Sequence, residues 1–178
     1  MKKSIRIIKG NIKYILLSCI MFCFLSCSNH GGKEFREGLL CKCIIFPTGT
    51  FQETYQINLY EDGTICTFYG TRRTDLSTQI ERGDIIDGIV IENIETQKRG
   101  KINADTLEHI KKCLSDNEGK QCFHPNDMNW KDSWCVLIET SNSLYLHRHC
   151  DFDNNEIEHI YEQLKKYSPI PIDIHGWA

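Results

Sequence analysis

Two histidines two residues apart, His147 and His149, are the side chains best spaced for chemistry. On a strand, positions i and i+2 point to the same side, so both rings could reach one metal ion. Cys122-Phe123-His124 and Cys41-Lys42-Cys43 supply further ligand types, and Asp151 lies close behind His149. If the turn before them has an even number of residues, however, His147 and His149 share a sheet face with Trp134, Val136, Ile138 and Tyr145. The simpler expectation is therefore a half-buried aromatic face carrying two ordinary histidines, with no metal or cofactor required.

Thiols offer the second kind of chemistry. Beyond Cys27 there are Cys41, Cys43, Cys66, Cys113, Cys122, Cys135 and Cys150, an odd number, so at least one lacks an intramolecular partner. Cys135 and Cys150 flank an expected hairpin and are the best disulfide candidates: an Asn142-Ser143 turn sets them opposite each other, whereas a Ser141-Asn142 turn pairs Cys135 with Arg148. No two cysteines are separated by two residues, as a thiol-disulfide exchange site would require. The HExxH zinc helix, the phosphate-binding P-loop and the GxSxG elbow are missing too, and no catalytic residue can be nominated.

These residues need elements to hold them. Leu39 to Phe46, closed by Pro47, reads as a strand, and Phe51, Tyr55, Ile57 and Leu59 alternate with polar residues in a clearer one. Asp62-Gly63 suits a two-residue turn, returning Thr64 to Gly70 with Leu59 opposite Cys66 and Ile57 opposite Phe68. Cys66 is then a buried core thiol. Thr71 to Gly88 reads as a charged surface loop, Ile89 to Ile94 as a strand, and Arg99-Gly100 as a turn. Asn103 caps a helix with Leu107, Ile110 and Leu114 on its buried stripe and Gly119 beyond its end.

Gly119 to Ser133 is irregular. Trp134 to Glu139 and Leu144 to Cys150 form the second hairpin. Asp153, in a capping box with Glu156, starts a helix with Ile157, Ile160, Tyr161 and Leu164 inward, stopped by Ser168-Pro169. The fold class expected is α+β: an antiparallel sheet built from hairpins, with two amphipathic helices packed on one face. An internal echo runs through it. Ile94-Glu95-Thr96 and Leu107-Glu108-His109-Ile110 parallel Ile138-Glu139-Thr140 and Ile157-Glu158-His159-Ile160, suggesting two strand-turn-helix units in which His109 and His159 lie beside the apolar stripes.

The N-terminus gives the address. Lys2, Lys3, Arg6, Lys9 and Lys13 precede an apolar run from Tyr14 to Leu25, the layout of a signal peptide and shorter than the roughly 20 residues of a membrane-spanning helix. Phe24-Leu25-Ser26-Cys27 resembles the lipobox of bacterial lipoproteins, which implies removal of residues 1–26 and lipid (palmitate among it) on Cys27. Leu16 to Cys19 matches the same pattern but leaves too short an apolar run.

Residues 27–36, with Gly31-Gly32, read as a tether, and residues 37–178 as a single domain. Ser28, Asn29 and His30 stand where an acidic surface-export signal would lie, which by resemblance implies an outer-membrane anchor facing the periplasm. Tyr55 to Gly70, together with the helix before the Pro-rich tail, resembles small exported bacterial domains to which no activity attaches.

Processing at Cys27 would remove five of the 21 Lys and Arg, leaving 16 against 24 acidic residues, a formal charge of −8. That balance argues against nucleic acid as a partner. The expected function is a lipid-tethered binding or interaction module, an inhibitor, protective or scaffold protein acting on a protein or small molecule. The alternative is a small metal-dependent or hydrolytic enzyme using His147, His149 and His124.

Overall fold

In the computed structural model the chain divides into two units, Met1–Glu37 and Gly38–Ala178. The residues described below are 38–49, 52–82, 86, 88–122, 133–148, 152 and 154–174, all within the second unit. Cys27, His124, His149 and Cys150 lie outside them.

The strands are β1 (Leu39–Pro47), β2 (Glu53–Tyr60), β3 (Thr64–Arg72), β4 (Ile91–Lys101), β5 (Gln121–Cys122), β6 (Trp134–Glu139) and β7 (Leu144–Arg148). They form one sheet in the order β4-β3-β2-β1-β6-β7-β5, antiparallel throughout except for the short β5–β7 pair. The helices are α1 (Leu76–Arg82), α2 (Ala104–Asp116) and α3 (Asn155–Tyr167). The class is α+β, as expected, but α1 makes a third helix among the described residues. The stretch read as a charged loop folds because Leu76, Ile80, Ile86 and Val90 are apolar and fully buried.

Both faces of the central strands carry buried side chains. On one, Cys41, Cys43, Ile45, Ile57, Leu59, Ile65, Val136, Ile138 and Tyr145 share a core with Leu107, Ile110 and Leu114 of α2 and Ile157, Ile160, Tyr161 and Leu164 of α3. The other face holds Ile44, Phe46, Phe68 and Leu137 together with buried Lys42, Thr54, Gln56, Asn58 and Glu139.

The first hairpin departs from the expected register by one residue. Leu59 pairs with Ile65, Asn58 with Cys66 and Gln56 with Phe68, so Cys66 and Phe68 lie on the polar-lined face. The loop is Glu61-Asp62-Gly63, three residues long, closed by Gly63 N–H donating to Tyr60 O at 2.9 Å, with Gly63 at φ +82°. Asp62 selects this loop, because its carboxylate accepts from both Thr64 N–H and Thr64 Oγ1 at 2.8 Å. Cys66 is buried as expected, on the other side of the sheet.

Two further boundaries are corrected. Arg99 and Gly100 are not a turn: β4 runs on to Lys101, with Gly100 opposite Ile65. Asn154, not Asp153, caps α3, its Oδ1 accepting from Glu156 N at 2.9 Å and Ile157 N at 3.4 Å. Asn103 caps α2 as expected, accepting from Thr106 N at 2.8 Å.

Candidate functional site

His147 sits where parity put it, paired with Val136 and on the same face as Tyr145 and Ile138. It is 3% exposed and its ring stacks on Phe152 at 5.1 Å, which in turn stacks on Tyr161 at 5.4 Å. Burial in an aromatic stack gives it the role of a core side chain. Cys135 is a buried thiol opposite Arg148, the pairing set by the Ser141-Asn142 alternative for the turn. Burial pushes the Cys135 and Cys41 thiols up to about 12, and Cys43 well up. These thiols are protonated at neutral pH and poor nucleophiles.

On the second face, Lys42 and Glu139 form a buried ion pair at 3.0 Å. The same two side chains hold the chain that follows α1. Lys42 Nζ donates to Ile86 O, and Glu139 Oε1 accepts from Ile86 N at 2.9 Å. One strand over, Gln56 repeats the device, accepting from Val90 N at 2.8 Å and donating to Gly88 O at 3.2 Å. Lys42, Glu139 and Gln56 thus satisfy backbone groups at Ile86, Gly88 and Val90, while Asn58, which accepts from Gln56 through Oδ1, keeps its buried Nδ2 without a hydrogen-bond partner.

The opposite situation holds at the rim of the sheet. β4 is an edge strand of eleven residues with no strand on its outer side among the described residues. Of those residues, Glu92, Asn93, Ile94, Glu95, Gln97, Lys98, Arg99 and Lys101 are exposed. Ile94, at 44% exposure, is the large apolar side chain that the described surface leaves uncovered. The register with β3 skips at Glu95 and again at Glu92, two bulges that bend the N-terminal half.

From Thr96 to Lys101 the ladder with β3 is unbroken, and this straight part carries Lys98, Arg99 and Lys101. Lys101 lies 3.7 Å from Asp62 in a solvated pair worth little. The arrangement presents an outward row of peptide groups flanked by three cations. Sequence reading missed this edge by placing a turn at Arg99-Gly100. The course of β4 from Ile91 past Gly100 follows from its pairing with β3, which single-strand periodicity cannot report.

No family model matches the chain, and no curated protein matches it significantly. No helix among the described residues is long and apolar enough to cross a membrane.

Proposed function

We propose that the protein is a bacterial envelope lipoprotein, anchored through Cys27 to the outer membrane and facing the periplasm, that acts as a binding module. In this reading α2 and α3 cover one face of the sheet and the segment around α1 the other, leaving the β4 edge as the surface for a partner. The observation that carries it is the exposure of the straight, basic segment Thr96 to Lys101 at the end of the sheet.

An extended segment of another protein can add to such an edge through main-chain hydrogen bonds, while side-chain charge decides which segment is accepted. Lys98, Arg99 and Lys101 select an acidic strand. The same charges work against a second copy: pairing the straight segment with itself centres Arg99 on Arg99 or Lys98 on Lys98, and like charges directly opposed are destabilising.

The test places a photo-crosslinking residue at Gln97 in the anchored protein, with Glu108 on α2 as the control position. A discrete adduct at Gln97, absent at Glu108 and lost in the Lys98→Glu/Arg99→Glu variant, is the expected result. Equal labelling at both positions, or an adduct indifferent to charge reversal, would remove the edge from the account. Cys27→Ala should release or mis-sort the protein; unchanged membrane partitioning with residues 1–26 intact would remove the lipid anchor.

A further inference from the structure

The three cations of the straight segment do not stand in one row. In an antiparallel ladder, residues directly opposite each other share a face, so β3 fixes the face that each side chain of β4 takes. Lys98 pairs with Thr67 and Gly100 with Ile65, and both partners belong to the helix-covered side. Ile65 lies in the core with α2 and α3, and Thr67 Oγ1 meets Ser168 Oγ at 3.0 Å just past the end of α3. Arg99 pairs with Cys66, Gln97 with Phe68 and Lys101 with Thr64, all on the polar-lined side. Lys98 and Arg99 therefore take opposite faces of the sheet.

Their electrostatic standing also differs from that of Lys101. Among the described residues neither Lys98 nor Arg99 has an ion-pair partner, whereas Lys101 has Asp62 at 3.7 Å, and a carboxylate brought to Lys101 would meet that acid as well. On its own face Lys98 is flanked by Thr96 and by Gly100, which has no side chain and has Pro169 Cβ 3.6 Å from where its own Cβ would stand. Arg99 is flanked by Gln97 and the compensated Lys101. Each face of the edge thus offers one uncommitted cation, and the two are consecutive in sequence.

Building on the edge binding proposed above, we infer that β4 recognises a strand with two consecutive acidic residues, one carboxylate over each face of the sheet, the first for Lys98 and the second for Arg99. Adjacent residues of an added strand take opposite faces whether it runs parallel or antiparallel to β4, so the requirement holds in either direction. Acids two residues apart fall on one face. Only one of them then meets an uncommitted cation, and the other faces Gln97, Thr96, Gly100 or the Lys101–Asp62 pair.

The experiment measures binding of labelled peptides to the full chain in detergent by fluorescence anisotropy. Three threonine-rich peptides are compared: one with two adjacent glutamates, one of the same composition with a threonine between them, and one with lysines in place of the glutamates. The adjacent pair should bind about two- to fivefold tighter than the separated pair, the gain expected from one further cross-strand charge pair. Lys98→Gln and Arg99→Gln, both at exposed positions, should each abolish that preference. Equal or inverted affinities of the two acidic peptides, both above that of the lysine peptide, would overturn the two-face arrangement and leave edge binding standing, as would a preference that survives either substitution. Affinity for none of the peptides, or for all three alike, would overturn both.

Discussion

At the scale of single residues, the interior is defined by groups that cannot ionise or cannot lose their partner. Cys41 and Cys135 have thiol pKa values raised by burial from 9.0 to about 12. A raised acid pKa means that the folded chain keeps a proton the unfolded chain has lost, so stability is intact below pH 9 and falls as pH rises from 9 towards 12. Each thiol can contribute a slope of up to about 1.4 kcal/mol per pH unit in that window. Urea midpoints measured at pH 8 and pH 10.5 should fall accordingly, and a flat profile would place these thiols in water. Lys42 makes the complementary case. Lys42→Met leaves Glu139 buried without its ion-pair partner and should cost about 3–5 kcal/mol, whereas Lys42→Met with Glu139→Leu should recover much of that. Denaturation of the three variants forms the comparison, and a double variant no better than the single would mean that the segment at Ile86 depends on Glu139 itself.

At the scale of elements, the presence of both long helices and both hairpins is legible because their signals are local, although the register of the first hairpin and the cap of α3 each lie one residue from the expected place. Asn103 begins α2, Ser168-Pro169 ends α3, and the apolar stripes of both helices are the residues that enter the core. What sequence could not show follows from burial on both faces. Gln56 and Asn58 alternate with Ile57 and Leu59 as if facing water, yet all four are fully buried, so alternation could not say which side Cys66 and Phe68 join. α1 escaped for the same reason, its buried Leu76 and Ile80 lying among charges. Candidate-site residues were legible only in part: parity placed His147 on the face of Tyr145 and Ile138, while the cations of β4 were hidden by the turn expected at Arg99-Gly100. The bulged edge also makes a demand on β3. A Cβ built at Gly70 would stand 2.0 Å from Asn93 O, so β4 can skip residues here only because Gly70 has no side chain. Gly70→Ala should destabilise the domain by about 1–3 kcal/mol, with the change in amide shifts greatest around Asn93. An unaltered melting curve would mean that the bulge can relocate without penalty.

At the scale of the whole molecule, the central strands carry buried side chains on both faces while β4 stands at an edge of the sheet among the described residues, and the charge on its straight part runs against the balance of the chain. In a chain of formal charge −3, Lys98, Arg99 and Lys101 gather along one straight edge, and under the proposed function they repel a second copy there and favour a carboxylate-bearing strand. Rigid-body docking is the natural expectation, since β4 is already extended and held by β3 along its inner side. The most direct test is amide hydrogen exchange of the full-length protein with a synthetic peptide of alternating Thr and Glu, and with its Thr and Lys counterpart. The account predicts that the acidic peptide slows exchange at outward-facing amides between Thr96 and Lys101, that the basic peptide does not, and that Lys98→Glu/Arg99→Glu exchanges the two outcomes. Protection by neither peptide, or by both alike, would contradict it.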